Sequence, residues 1–175
     1  MPKIEIRPQT AEEAFLYIKN LLSKRRFYKE NGYLIDIPEH SVFKEIFQNF
    51  DEISEEKENE LRKIFFEEVY PKIVFSEALA EGQKVISEVS KKLEQFSLRP
   101  GFKLLDNYLV VLTPYGPGGS YDVRGVIVIK MNSRRSVLER IIHEAVHIGV
   151  EHEVLKKKLS HSEKEELVEM ICSEF

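Results

Sequence analysis

The spacing of apolar residues changes near residue 100, and this change limits the folds that the chain can adopt. Before that point apolar residues recur every three or four positions, as on one face of an amphipathic helix. After it come YLVVLT and GVIVIKM, two short β-branched runs typical of strands, joined by the loop PYGPGGSYDVR. The sequence therefore predicts an α+β fold, mainly helical over residues 1–100, with a small antiparallel sheet and two further helices in residues 101–175.

Capping residues and helix breakers set the helix boundaries in this prediction. Thr10 and Glu13 form a capping box that begins the first helix, and SVFKEIFQNF carries a second apolar helical face. Pro71 marks a boundary between two later helices, and the acidic run DEISEEKENE is predicted to be exposed. A second capping box, Ser136 and Glu139, begins a helix expected to extend to about residue 150.

The composition is that of an ordinary globular protein. With 175 residues, 42% hydrophobic and 32% charged, and no repeat or linker, the chain is predicted to be a single domain, 1–175. A net charge of −4 and only short basic clusters argue against partners such as nucleic acid or an anionic membrane. One cysteine, Cys172, cannot form an intrachain disulfide, and no apolar leader or spanning segment is present, so a cytoplasmic location is predicted.

The stretch IIHEAVHIGVEH carries the pattern His-Glu-x-x-His inside the helix that begins near Ser136. At 100° per residue, His143 and His147 point the same way and Glu144 lies on the adjacent flank. Two neutral imidazoles one turn apart suit a tetrahedral zinc ion, and the neighbouring carboxylate can reach a water that the metal activates. Burying both histidines without partners would cost about 1 to 3 kcal/mol each, which favours a metal site over a structural histidine pair.

A catalytic zinc usually has a third protein ligand and an open fourth position. His152 is the nearest further histidine, and HEAVHIGVEH has a superficial likeness to the metzincin pattern HExxHxxGxxH. Gly149 and His152 each stand one residue too early for that pattern, which excludes the metzincin class. The third ligand is therefore expected from the glutamate-rich final helix, SHSEKEELVEMICSEF.

Helical angles rank the glutamates of this last helix. Glu165 and Glu169 border its apolar face, whereas Glu166 points farther toward solvent. Glu165 is the predicted zinc ligand, and Glu169 is predicted to accept a hydrogen bond from the far nitrogen of a ligating histidine. Glu166 and Glu169 remain alternative ligands, and a capping box of Ser162 with Glu165 is an alternative role for Glu165.

An HExxH motif, seventeen intervening residues and then ExxxE resembles the gluzincin branch of the zincin metallopeptidases. His143, Glu144 and His147 match that motif outright, and Glu165 matches it approximately, because Glu166 would give the commoner spacing. The resemblance covers the backing helix, the small sheet and the two helices that follow. It implies a zincin-like core with an active-site helix and a glutamate helix, bound Zn²⁺, a peptide or protein substrate, and amide hydrolysis with Glu144 as general base.

Residues outside the motif give weaker indications. Tyr115, Tyr121 and His161 are candidate donors to an oxyanion by residue type alone. The loop sequence GPGGS lacks the lysine and the following helix of a phosphate loop, so nucleotide binding is not expected. The zincin resemblance implies that this loop rims the cleft, and a tight hairpin connection without a function is the alternative. Two other functions stay open: an inactive zincin-like binding or regulatory protein with a structural metal, and a helical protein without metal.

Overall fold

The computed structural model describes residues 1–49 and 53–174, which form an α+β fold. Its elements in chain order are β1 (Lys3–Pro8), α1 (Ala11–Ser23), α2 (Arg25–Glu30), α3 (Ser41–Asn49), α4 (Glu55–Ile64), a π-helical turn (Phe65–Val69), a 3₁₀ turn (Tyr70–Lys72), α5 (Ser76–Phe96), β2 (Asn107–Thr113), β3 (Gly119–Asp122), β4 (Val126–Lys130), α6 (Val137–Lys157) and α7 (His161–Ser173). No helix in the described parts is both long enough and apolar enough to cross a membrane.

The sheet is mixed, with strand order β1-β2-β4-β3, so the prediction of an antiparallel sheet is wrong. β1 pairs parallel with β2, β2 pairs parallel with β4, and only β3 is antiparallel, to β4. The error has a topological cause. The loop after β2 was expected to lead straight into the next strand, but it contains β3, which reverses the chain so that β4 runs in the direction of β2.

Two strands were not predicted from the sequence. β1 carries the alternation of a half-buried strand, since Ile4 and Ile6 are buried while Lys3 and Glu5 are exposed. β3 has the sequence GSYD, in which only Tyr121 favours a strand, and it lies at the open edge of the sheet. Its pairing with β4, such as Tyr121 with Ile127, is a long-range feature that this short segment does not encode by itself.

The N-terminal helices begin and pack largely as predicted. Thr10 and Glu13 form both hydrogen bonds of a capping box. A cluster of aromatic rings, including Phe15, Phe43 and Phe65, is fully buried between α1, α3 and the π-helical turn. The acidic run is partly a helix, because α4 begins at Glu55; the residues numbered 50 to 52 lie outside the described residues.

A second apolar cluster joins the sheet to α5, α6 and α7. The loop after β2 connects the two clusters, because Tyr115 is buried among the N-terminal helices. In the same loop Gly116 exchanges backbone hydrogen bonds with Asp36, whose carboxylate is 2.7 Å from Nζ of Lys130. These contacts hold the segment around Asp36 beside the C-terminal end of β4.

The last two helices carry the residues of the predicted site. α6 has the predicted capping box of Ser136 and Glu139, and it extends seven residues beyond the expected end at residue 150. α7 begins at His161 with Ser160 as its N-cap, two residues before the alternative cap Ser162, because Ser160 and Glu163 form its capping box. The alternative capping role of Glu165 is therefore wrong, and its side chain is available for other contacts.

Candidate metal centre

α6 and α7 bring two imidazoles and one carboxylate together. Nε2 of His143 lies 3.1 Å from Nε2 of His147. The carboxylate of Glu165 lies 3.6 Å from His143 Nε2 and 3.4 Å from His147 Nε2. One donor atom from each of the three side chains lies within 4.8 Å of the other two. Among the described residues, His143, His147 and Glu165 are the group that could hold a metal ion.

These spacings fit the donor arrangement that zinc prefers. A tetrahedral ion with bonds of about 2.0–2.1 Å keeps its donor atoms roughly 3.3–3.4 Å apart. The two Nε2 atoms are 3.1 Å apart, and Glu165 approaches them through different carboxylate oxygens, Oε2 at 3.6 Å from His143 and Oε1 at 3.4 Å from His147, so each distance is close to that value. Two nitrogens and one oxygen are also a typical donor set for zinc, so the side chains could hold the ion with only small shifts.

Burial keeps both imidazoles neutral, which is the protonation state that binds metal. The His147 ring is almost fully buried, and burial, reinforced by the nearby positive charges, lowers the pKa of His147 to about 3. Burial also lowers the pKa of His143, against the opposing effect of Glu165. The Nδ1 atoms of both rings are buried and have no hydrogen-bond partner among the described residues.

Glu144 lies beside this cluster and is buried. Only 8% of the surface of Glu144 is exposed, and burial together with the negative charge of Glu165 raises the pKa of Glu144 to about 8. The carboxylate packs directly on β3 at a position without a side chain: a Cβ on Gly119 would lie 2.2 Å from Oε1 of Glu144. Gly119 thus leaves the room that the carboxylate occupies.

The other acidic and histidine candidates fall into different positions. Oε1 of Glu169 lies 3.6 Å from Nδ1 of His143, which is too far for the predicted hydrogen bond, and it accepts a hydrogen bond from Arg135 at 2.9 Å. Glu166 is exposed on α7, and His152 is exposed on α6. Neither belongs to the three-residue cluster.

The three candidate oxyanion donors lie in different surroundings. Tyr115 is buried in the N-terminal aromatic cluster. Tyr121 stacks its ring on His147 with centroids 5.1 Å apart, and its hydroxyl donates to Glu151 at 2.7 Å and accepts from Lys164. Of the three candidates, His161 alone borders the cluster with its polar atoms, with Nδ1 located 3.9 Å from Glu165.

A cleft of about 990 Å³ opens over the cluster. The glycine-rich loop and β3 form one wall, so the prediction that this loop rims the cleft is confirmed. The opposite wall comes from the N-terminal half, where Tyr33 hydrogen-bonds to Nε2 of His161 at 2.9 Å. His143, Glu144 and Glu165 face this shared space.

Two residues of the cleft were not predicted from the sequence. Arg140 stands three positions before His143 on α6, so helical spacing alone would have found it. Tyr33 reaches the site only through tertiary packing, and no local pattern marks it. Gly119 lies in the GPGGS loop that was predicted to rim the cleft, but its contact with Glu144 was not predicted.

No protein-family model, curated protein or solved structure matches this chain. The functional argument therefore rests on the residues of the cleft and their geometry.

Proposed function

We propose that the protein is a zinc-dependent metallohydrolase that cleaves amide bonds in peptides, with His143, His147 and Glu165 as the zinc ligands. The observation that carries this proposal is the convergence of their donor atoms, 3.1 to 3.6 Å apart, at the base of an open cleft. A purely structural zinc site would normally be closed by four protein ligands, whereas three ligands beside a cleft leave room for water and substrate.

The chain's own side chains supply the proton transfers of this reaction. Zn²⁺ at the three ligands supplies Lewis acidity, which activates a water molecule and polarises the substrate carbonyl. Glu144 accepts a proton from the attacking water and passes it to the leaving nitrogen. Burial raises the pKa of Glu144 to about 8, so its ionised form, which takes the proton, is a stronger base than an exposed carboxylate. Glu169, whose Oε1 lies 3.6 Å from Nδ1 of His143, would orient that ring once the two atoms approach to hydrogen-bond distance.

The arrangement of secondary structure supports assignment to a zincin-like, specifically gluzincin-like, core. α6 carries the HExxH motif, α7 follows it with Glu165, and a small sheet with an antiparallel edge strand borders the cleft. The edge strand β3 and the active-site helix α6 enclose Glu144 between them. In this proposal residues 101–175 form the catalytic core, and the N-terminal half supplies one wall of the cleft.

Two measurements on one variant test the proposal. Protein purified without chelators should contain close to one equivalent of zinc and should hydrolyse members of a quenched fluorescent peptide pool. Glu144→Gln should keep its zinc and lose hydrolysis, because the amide cannot accept the proton. Glu153→Gln, on the same helix but outside the cleft, is the matched control and should keep both properties.

The same experiment separates this proposal from its alternatives. Wild-type protein that binds zinc but cleaves no peptide would favour a binding or regulatory protein with a structural metal. Protein that binds no zinc, and whose melting temperature zinc does not raise, would reject the metal site altogether.

A further inference from the structure

The cleft contains a buried positive charge that the proposed hydrolysis does not use. Arg140 is 6% exposed and lines the cleft. Its Nε donates to the carbonyls of Arg135 and Ser136, at 3.1 and 3.3 Å. Its Nη1 is buried and has no hydrogen-bond partner among the described residues. Burying a guanidinium whose hydrogen bonds are incomplete is unfavourable, so an unpaired one at a cleft wall points to a ligand.

The acidic residues closest to Arg140 are already engaged elsewhere. Glu139 accepts hydrogen bonds from the backbone and hydroxyl of Ser136 in the capping box of α6. Glu81 accepts from the backbone of Val137 at 3.5 Å. Both raise the pKa of Arg140 through their charge, but burial outweighs them and lowers that pKa overall. No described carboxylate therefore accepts a hydrogen bond from Nη1 of Arg140.

Arg140 lies on the same side of α6 as the two proposed histidine ligands and the general base. It precedes His143, Glu144 and His147 by three, four and seven positions, so all four side chains project from one side of α6. The rise of the helix places the Cα atoms of Arg140 and Glu144 about 6 Å apart along the axis. An extended peptide advances about 3.3 Å per residue, so a group one to three residues from the cleaved bond can reach the guanidinium.

The charge of the cleft is opposite to that of the whole chain. Six cationic side chains line it, Lys24, Lys130, Arg134, Arg135, Arg140 and Lys164, against the two carboxylates of Glu144 and Glu165. Some of the cations have partners outside the cleft lining, as Lys130 does with Asp36. The formal net charge of the chain is −4, so the concentration of cations at this cleft is a local property of the site.

We infer that Arg140 is the anion-binding subsite of the cleft and that the preferred substrate is a peptide whose carboxylate group lies within a few residues of the cleaved bond. The inference rests on the proposed hydrolase function, and it names the substrate class of that site. The planar guanidinium of Arg140, whose Nη1 has no partner among the described residues, matches a carboxylate in a two-point hydrogen-bonded pair through its two terminal nitrogens. The carboxylate belongs either to an acidic side chain or to the C-terminus of the peptide.

Binding to zinc-loaded Glu144→Gln tests the inference without requiring hydrolysis. Three pools of short fluorescent peptides are compared by anisotropy. The first has an internal glutamate and a C-terminal amide, the second has glutamine and a C-terminal carboxylate, and the third has glutamine and a C-terminal amide. One of the first two pools should bind about tenfold more tightly than the neutral third pool, and the tighter pool identifies the source of the carboxylate.

The same peptides are then tested on variants of the arginine in the Glu144→Gln protein. Arg140→Gln should remove the preference for the anionic pool. Arg124→Gln removes the same charge from an exposed turn outside the cleft and should retain the preference. If circular dichroism shows that Arg140→Gln does not fold, Arg140→Lys replaces it; this variant keeps the charge, loses the two-point geometry, and should lower the preference several-fold.

Equal affinity for all three pools, a preference that survives Arg140→Gln, or a preference that Arg140→Lys leaves undiminished would overturn the assignment of Arg140. Failure of the wild-type protein to cleave any of the pools bears only on the proposed hydrolysis, because the affinities are measured on a variant that does not cleave.

Discussion

Gly119→Ala should inactivate the protein without disturbing its zinc ligands. The added Cβ would lie 2.2 Å from Oε1 and 2.8 Å from Cδ of Glu144, and ordinary contact begins near 3.4 Å. The carboxylate must therefore move by about 1 Å, and a misplacement of that size in a catalytic group costs roughly 100-fold in rate. The backbone of Gly119 is not in the left-handed region, so alanine adds a steric effect and not backbone strain.

Hydrolysis of the best peptide of a quenched pool and zinc content are the two assays for this variant. kcat/KM should fall about 100-fold while zinc stays near one equivalent. Gly118→Ala is the matched control, because a Cβ at that position meets no atom within 4 Å, and it should remain active. Equal activity of the two variants, or loss of zinc from Gly119→Ala, would refute the placement of Glu144 against β3.

Three further predictions follow from contacts in and around α6. Glu169→Gln should weaken zinc binding about tenfold, measured by competition with a chromophoric chelator, because Glu169 faces Nδ1 of His143; unchanged affinity would contradict this role. In metal-free protein, the pKa of Glu144 is about 8 in the folded state, so raising the pH from 4.5 to 8 ionises this residue mainly in the unfolded state. Urea titrations should therefore show that wild type loses up to about 1.4 kcal/mol of stability per pH unit relative to Glu144→Gln. A stability difference that does not change with pH would refute the raised pKa. Gly149→Ala should cost about 1–3 kcal/mol in urea denaturation, because its Cβ would lie 2.3 Å from the Phe102 ring, and unaltered stability would contradict this packing.

Local signals in the sequence were sufficient to locate the helices that carry the site. The capping boxes at Thr10 and Ser136 are present as predicted, because both of their hydrogen bonds lie within four residues of the chain. Helical angles favoured Glu165 over Glu166 as the inward-facing carboxylate, and in the structure Glu165 approaches both histidines. Its role as a zinc ligand stays a prediction. The N-cap of α7 could not be chosen from spacing alone, because Ser160 and Ser162 both stand three residues before a glutamate.

Features that depend on contacts between distant segments could not be predicted in this way. The direction of β4 relative to β2 follows from the edge strand β3, whose residues have little intrinsic preference for a strand. The cleft wall formed by Tyr33 comes from a segment more than a hundred residues away in sequence, at a hydrogen bond to His161. The space that Gly119 leaves for Glu144 likewise exists only after β3 packs on α6.

Anomalous diffraction at the zinc absorption edge, from crystals of protein purified without chelators, tests the central claim most directly. The account predicts one strong peak about 2.0–2.2 Å from Nε2 of His143, Nε2 of His147 and a carboxylate oxygen of Glu165, with the fourth direction open to the cleft. A peak ligated by Glu166 or Glu169 in place of Glu165 would contradict the ligand set. Absence of any peak between the two histidines in zinc-saturated crystals would contradict the metal centre itself.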